Sequence, residues 1–216
     1  MKRSRKIILI LAAVAMAAGL AIWTLWPRVE HYEYGFDRPV GEAEQALRLS
    51  FVEKAESWLG SHEGSPGHLE ILSIYNTHEP LAQGYLVQEN DNWCATFVSA
   101  VAIQQGLTDI IPTECGCQRQ IGLFQKIARW EEDDGYTPLP GDIIYYCNGD
   151  KDPFSDCTGW SDHVGIVVGT CNGYIKVIEG NCYETVAYRY IPVDAAGIRG
   201  FALPDYEGFL AGLEEA

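Results

Sequence analysis

Positive charge is scarce beyond the first few residues of this 216-residue chain. It has 15 Lys and Arg against 30 Asp and Glu. No acidic residue occurs among the first 26 positions. Residues 27–216 therefore hold all 30 acids against 11 Lys and Arg, a formal charge of −19. Such a surface repels polyphosphate, which excludes nucleic-acid binding; otherwise the charge keeps the chain soluble. Low-complexity tracts and internal repeats are also lacking, which excludes repeat architectures and long unstructured spacers.

Polar side chains are nearly absent from Ile7 to Trp26, where Thr24 is the one exception. Twenty residues at ~1.5 Å each span ~30 Å, the thickness of a bilayer core. Four cations in residues 1–6 precede the run, so the N-terminus is expected to stay in the cytoplasm. Trp23 and Trp26 stand where interfacial aromatics belong, and Pro27 closes the run. A cleaved signal peptide is the alternative: Ala15-Met16-Ala17 fits a small-x-small site loosely but lies in mid-run. Either way the rest of the chain is exported. The expected layout is a basic tail (1–6), a transmembrane signal anchor (7–26), a spacer (27–44), one globular domain (45–203) and an acidic tail (204–216).

Seven cysteines occur, at 94, 115, 117, 147, 157, 171 and 182. Outside the cell six can pair, and one thiol is left needing a reason. Cys147 and Cys157 close a short loop and are the expected bridge. Cys115 and Cys117 are too close to bridge each other comfortably, so at least one pairs elsewhere. Cys115-Gly116-Cys117 also lacks the spacing of a zinc pair.

Elements follow from periodicity and punctuation. Ala46, Leu47, Leu49, Val52, Ala55 and Leu59 fit one helix face, ended by Gly60. A short helix is expected around Leu69–Tyr75. Asn90-Asp91-Asn92 reads as a capping cluster before Trp93–Ile103, a nearly all-apolar and hence buried helix stopped by Gly106. Ile121–Trp130 reads as helical. Strands are expected at Ile143–Cys147, His163–Thr170, Tyr174–Glu179 and Thr185–Ile191, with a polar loop over 148–161. Helices first and strands after argue for an α+β fold with an antiparallel sheet.

Chemistry concentrates at two places. Cys94 falls in the first turn of the buried helix, where the helix dipole favours a thiolate over a free thiol of pKa ~8.5. His163 opens a strand whose hairpin partner carries Glu179 and Asn181, two apart and so on one face. A three-residue loop, Cys171-Asn172-Gly173, would set His163 opposite Asn181 and Gly165 opposite Glu179. A two-residue loop would turn Glu179 to the other face. Gly173 suits the left-handed last position of the longer loop. On that register His163, Glu179 and Asn181 converge, Gly165 leaves room, and a helix N-terminus meeting that face would bring Cys94 to His163 as nucleophile to base.

These segments carry a resemblance. Asn92-Trp93-Cys94-Ala95-Thr96-Phe97-Val98-Ser99, Pro140-Gly141-Asp142-Ile143-Ile144, Asp162-His163-Val164-Gly165-Ile166-Val167 and Glu179-Gly180-Asn181 resemble the CHAP family (cysteine, histidine-dependent amidohydrolases/peptidases), within the NlpC-type group with a papain-like core. The resemblance covers roughly residues 45–195. It implies hydrolysis of amide bonds in bacterial peptidoglycan, with stem or cross-bridge peptides as partners. Cys94 would be the nucleophile, His163 the base, Glu179 the group orienting the imidazole and Asn181 a supporting polar group. Resemblance to papain-like enzymes makes Gln88 a candidate oxyanion donor, and Trp93 and Tyr75 are candidate substrate contacts. No wall-binding module is visible, and the membrane run takes its place. Residues 76–91 lack a calcium-binding spacing. The loop with Asp150, Asp152 and Asp156 reads as solvated, so no metal or cofactor is expected. Two other readings stay open: a catalytically silent module that holds wall peptides, and an exported cysteine peptidase acting on proteins.

Overall fold

The structure is a computed structural model that describes residues 33–147 and 157–215. Five α-helices occur among these residues: α1 (Glu42–Glu56), α2 (Pro66–Asn76), α3 (Cys94–Gln105), α4 (Cys117–Lys126) and α5 (Tyr206–Glu214). Six strands, β1 (Trp130–Glu131), β2 (Ile143–Tyr146), β3 (His163–Cys171), β4 (Tyr174–Cys182), β5 (Thr185–Pro192) and β6 (Ile198–Ala202), form one sheet. Its order is β1-β6-β2-β3-β4-β5, antiparallel at every pairing. The fold is therefore α+β, as the order of helical and strand patterns predicts. No helix among the described residues is long and apolar enough to cross a membrane; the run expected to do so, 7–26, lies outside them, as does the loop with Asp150, Asp152 and Asp156.

Helix α3 is the hub. Cys94 through Ala102 are all buried, which is why the helix is apolar all round and shows no amphipathic stripe. It packs against α1 and α2 on one side and against β3 and β4 on the other. Gly106, at φ 66°, ends it in the left-handed conformation that glycine takes readily. The sheet side chains that join this core are Ile143, Tyr145, Val164, Ile166, Val168, Ile178, Val186 and Ala202. Ile144, Tyr146, Val167, Ile175 and Val177 alternate with them and build a smaller cluster with Ile198 and Phe201 on the opposite face.

Several expectations need correction. The buried face of α1 is Arg48, Phe51, Val52 and Ala55, while Ala46 and Leu49 are exposed. A buried arginine carries the stripe that an apolar-only count misses. The cap of α3 is Trp93 with no side-chain bond, not the Asn90–Asn92 cluster. Asp91 instead accepts from the Gln88 N–H and the Tyr85 hydroxyl. Helix α4 starts at Cys117 and stops at Lys126. Ala128 then takes φ 54°, and Trp130 pairs with Ala202 as a strand. Part of the expected spacer is built into the domain, since Gly35 bridges Thr170. Residues after 203 form α5, whose Tyr206 is buried.

The β3–β4 hairpin departs from expectation in a way that matters for the site. Its loop has two residues, with Cys171 opposite Tyr174. Asn172 (φ 50°) and Gly173 (φ 75°) have the paired left-handed conformations of an Asn-Gly turn. That loop alone would put Glu179 on the wrong face. A bulge between Val167 and Gly169 then shifts the pairing by one, giving Val167 opposite Val177 and Ile166 opposite Ile178. The register beyond the bulge is the one a three-residue loop would have set. At the bulge a Cβ on Gly169 would come within 2.7 Å of the Tyr34 carbonyl carbon, so glycine lets the N-terminal arm cross there.

A second buried cluster ties helices to sheet. Asp142, fully buried at the entry to β2, accepts from Arg48 Nη1 (2.9 Å), Tyr136 Oη (3.0 Å) and the Leu139 N–H (2.9 Å). Arg48 also donates to Glu44 (2.7 Å) and to the Pro140 carbonyl (3.0 Å), and its guanidinium lies over the Tyr206 ring. The Pro140-Gly141-Asp142 motif thus holds α1, α5 and the sheet together. Removing one partner of a buried pair leaves the other uncompensated. Arg48→Ala should cost about 3–5 kcal/mol and lower the melting temperature by roughly 10 °C in a thermal scan. A loss under about 1 kcal/mol would mean that Tyr136 and the Leu139 N–H satisfy Asp142 without the guanidinium.

Candidate active site

Cys94 is the first residue of α3 and 4% exposed. With no side chain capping that end, first-turn N–H groups stay available to an anion. A glycine fixes how close the helix comes to the sheet. A Cβ on Gly180 would meet the Phe97 side chain (Cγ at 2.7 Å) and Trp93 Cζ3 at 2.9 Å. Only glycine lets the α3 N-terminus lie on β4 there.

His163 opens β3 and Glu179 lies in β4; they are 7% and 0% exposed. His163 Nε2 and Glu179 Oε2 are 2.9 Å apart. The other carboxylate oxygen accepts from Arg189 Nε on β5 at 2.6 Å. Gly165 supplies the space for Glu179, since a Cβ there would come within 2.7 Å of Glu179 Cγ. The His163 ring stacks on Tyr146, centroids 6.1 Å apart, and Arg189 covers the same tyrosine from 5.2 Å. By strand alternation His163 and Glu179 belong to the face away from α3, not to the face that the helix meets. Because His163 is the first residue of its strand, it sits at the end of the sheet, where the helix N-terminus arrives. Nε2 is occupied by Glu179, which leaves Nδ1 for the sulfur.

Electrostatics follow from this placement. Contact with the neighbouring Cys117 thiol favours the Cys94 thiolate most; burial opposes it, and His163 and the Ala95 N–H favour it further. The net effect holds Cys94 well below the usual thiol range. Cys117 goes the other way, pushed well up by the Cys94 charge and by burial. Of the two sulfurs Cys94 takes the charge, because the imidazole is its neighbour. Burial disfavours imidazolium, yet Cys94 and Glu179 together raise His163 to about 9. Burial of Glu179 is likewise outweighed, by His163 and Arg189, and its carboxyl is held low. At neutral pH the site holds a thiolate and an imidazolium.

A cleft of about 280 Å³ opens over the sulfur, lined by Asn92, Cys94, Cys117, Gln118, Trp160 and Asp162 among others. The remaining expected residues are placed differently. Asn181, at φ 56°, turns from His163 and donates to Asn92 Oδ1 at 3.3 Å. Gln88 is exposed, and its side-chain amide donates to the Leu86 carbonyl. Trp93 and Tyr75 are buried in the core and do not line the cleft. Three residues were missed: Arg189, Cys117 and Asn92. Arg189 lies diagonally across the β4–β5 pairing from Glu179, a relation readable once register is known. Cys117 had no local signal, since its nearness to Cys94 is set by α4 packing.

One disulfide forms among the described residues, the expected Cys147–Cys157, with Cα atoms 6.0 Å apart. The expectation of three bridges with one free thiol fails, for Cys94, Cys115, Cys117, Cys171 and Cys182 are all free. Cys171 and Cys182 stand at opposite ends of the β3–β4 hairpin and cannot meet.

Residues 86–181 match the family model of the CHAP domain, a stretch that encloses Cys94, His163, Glu179 and Asn181. Comparison with the curated proteins and with the solved structures finds no match.

Alkylation by iodoacetamide, followed on the Cys94 peptide by mass spectrometry, reads the thiolate directly. The rate should already be level at pH 7 and fall only on acidification, because the lowered pKa leaves the sulfur charged. A rate climbing about tenfold per pH unit toward a midpoint near ~8.5 would show an ordinary thiol.

Proposed function

We propose, from the CHAP domain matched in residues 86–181, that this chain is a cysteine hydrolase cleaving amide bonds in bacterial peptidoglycan. The observation that carries the reading is the meeting of a helix-terminal thiolate with an imidazole that a buried, Arg189-clamped Glu179 holds in place. A structural cysteine has no use for such an arrangement. A module that only held wall peptides would need neither the carboxylate nor the raised imidazole.

The Cys94 sulfur attacks the carbonyl carbon of the scissile amide. The oxyanion is met by backbone N–H at the start of α3, with Asn92 rather than Gln88 as the side chain placed to assist from the cleft rim. His163 gives its proton to the leaving amine, and a thioester remains. Water then attacks the thioester carbonyl while His163 takes its proton, releasing the acid and restoring the thiolate. Glu179 stabilises the cation at each stage, and Arg189 keeps that carboxylate ionised. Because the imidazolium proton is needed for amine departure, turnover should decline as pH rises past about 9.

On a papain-like domain tethered by residues 7–26, with the N-terminus in the cytoplasm, the cleft would face the wall. Membrane attachment would then do the work of a wall-binding module.

Purified peptidoglycan digested with the chain and analysed by mass spectrometry tests the function. New muropeptides with a free stem-peptide N-terminus indicate cleavage of the sugar–peptide amide; opened cross-bridges indicate an endopeptidase. Cys94→Ala should abolish both products with its melting temperature unchanged. Cleavage of casein with intact muropeptides would assign the chain to protein substrates, and turnover by Cys94→Ala would remove the nucleophile from the scheme.

A further inference from the structure

The hydrolytic cycle uses one sulfur, yet a second lies against it. Cys94 and Cys117 Sγ are 3.6 Å apart, and both residues are buried. Each is the first residue of a helix, α3 and α4, and each lines the same cleft. A disulfide needs ~2.05 Å between sulfurs, so a closing movement of about 1.5 Å suffices. Gly116 caps α4 in an extended conformation, and on the side where its Cβ would lie the first neighbour is the flexible Arg119 side chain at 3.7 Å.

We propose that Cys94 and Cys117 are a reversible redox pair, in which a hydroperoxide oxidises Cys94 and Cys117 then bridges it, masking the nucleophile. This rests on the hydrolase reading for its consequence, though not for its chemistry. The Cys94 thiolate attacks one peroxide oxygen. The S–O bond forms as the O–O bond breaks, and the departing hydroxide takes a proton to become water, leaving a sulfenic acid. Cys117 then attacks that sulfur. The S–S bond forms, the S–O bond breaks, and the hydroxyl leaves as water with the Cys117 proton. Two thiols and one hydrogen peroxide give one disulfide and two waters, and a dithiol reductant reverses the change.

The pair is asymmetric in the sense this needs. Cys94 is the anion that attacks, and Cys117 keeps the proton that the second step releases. Cys115 lines the same cleft, but its sulfur faces Gln83 and Glu114, while Cys171 and Cys182 belong to the hairpin. Bridging also halts the oxidation ladder before the sulfinic acid, which dithiols do not repair. For an exported enzyme this is a way to be silenced and recovered.

The test treats the reduced full-length chain with hydrogen peroxide, blocks free thiols with iodoacetamide and maps the unreduced digest by mass spectrometry. The expected product is the Cys94 peptide linked to the Cys117 peptide with loss of two hydrogens. Peptidoglycan hydrolysis should be lost in step and return with dithiothreitol. In Cys117→Ser the same treatment should carry Cys94 to the sulfinic acid, with no recovery. Direct sulfinic acid in the wild-type chain, or a bridge from Cys94 to any other cysteine, overturns the proposal. A chain that forms the bridge but never cleaves peptidoglycan would refute the hydrolase reading and leave the pair standing.

Discussion

A proton held on His163, between a sulfur on one side and a carboxylate on the other, is the interaction on which the site depends. Burial opposes a charged imidazole there; Cys94 and Glu179 together outweigh it, and Arg189 keeps Glu179 an anion by taking its second oxygen. Much of the packing serves this arrangement. Gly180 lets the α3 N-terminus settle on β4, Gly165 gives Glu179 its space, and the Tyr146 ring holds imidazole and guanidinium in line.

Two buried carboxylates in this fold meet an arginine, and their fates differ for a physical reason. Asp142 has both oxygens taken by Arg48, Tyr136 and the Leu139 N–H, away from the cleft. It can only hold structure, so Pro140-Gly141-Asp142 serves the fold away from the cleft. Glu179 gives one oxygen to Arg189 and the other to the titratable ring of His163. Satisfaction makes the first a pin, while connection ties the second to the charge of the imidazole.

Local chemistry made much of this legible in the sequence. A buried, nearly all-apolar helix with Cys94 in its first turn and a strand opening at His163 both form as their patterns predict, as does Cys147–Cys157. The hairpin is more instructive. The pairing of Gly165 with Glu179 was reached by assuming a three-residue loop, whereas an Asn-Gly turn and a bulge at Val168 produce it. Gly169 inside the strand pattern is the mark such a bulge leaves in a sequence, and here it answers to the arm crossing, which only the fold reveals. Asn181 was assigned by two-residue periodicity, but its positive φ breaks that periodicity and turns it to Asn92. Arg189, Asn92 and Cys117 escaped because their roles come from neighbours distant in sequence.

The central claim is that a Cys94 thiolate and a His163 imidazolium hold each other charged. Nitrogen-15 spectra of imidazole-labelled protein, titrated in the wild-type chain and in Cys94→Ala, test it without any substrate. The account predicts that His163 stays protonated to about 9 in the wild type and titrates lower once the sulfur is gone. Identical titration of His163 in the two proteins would contradict it.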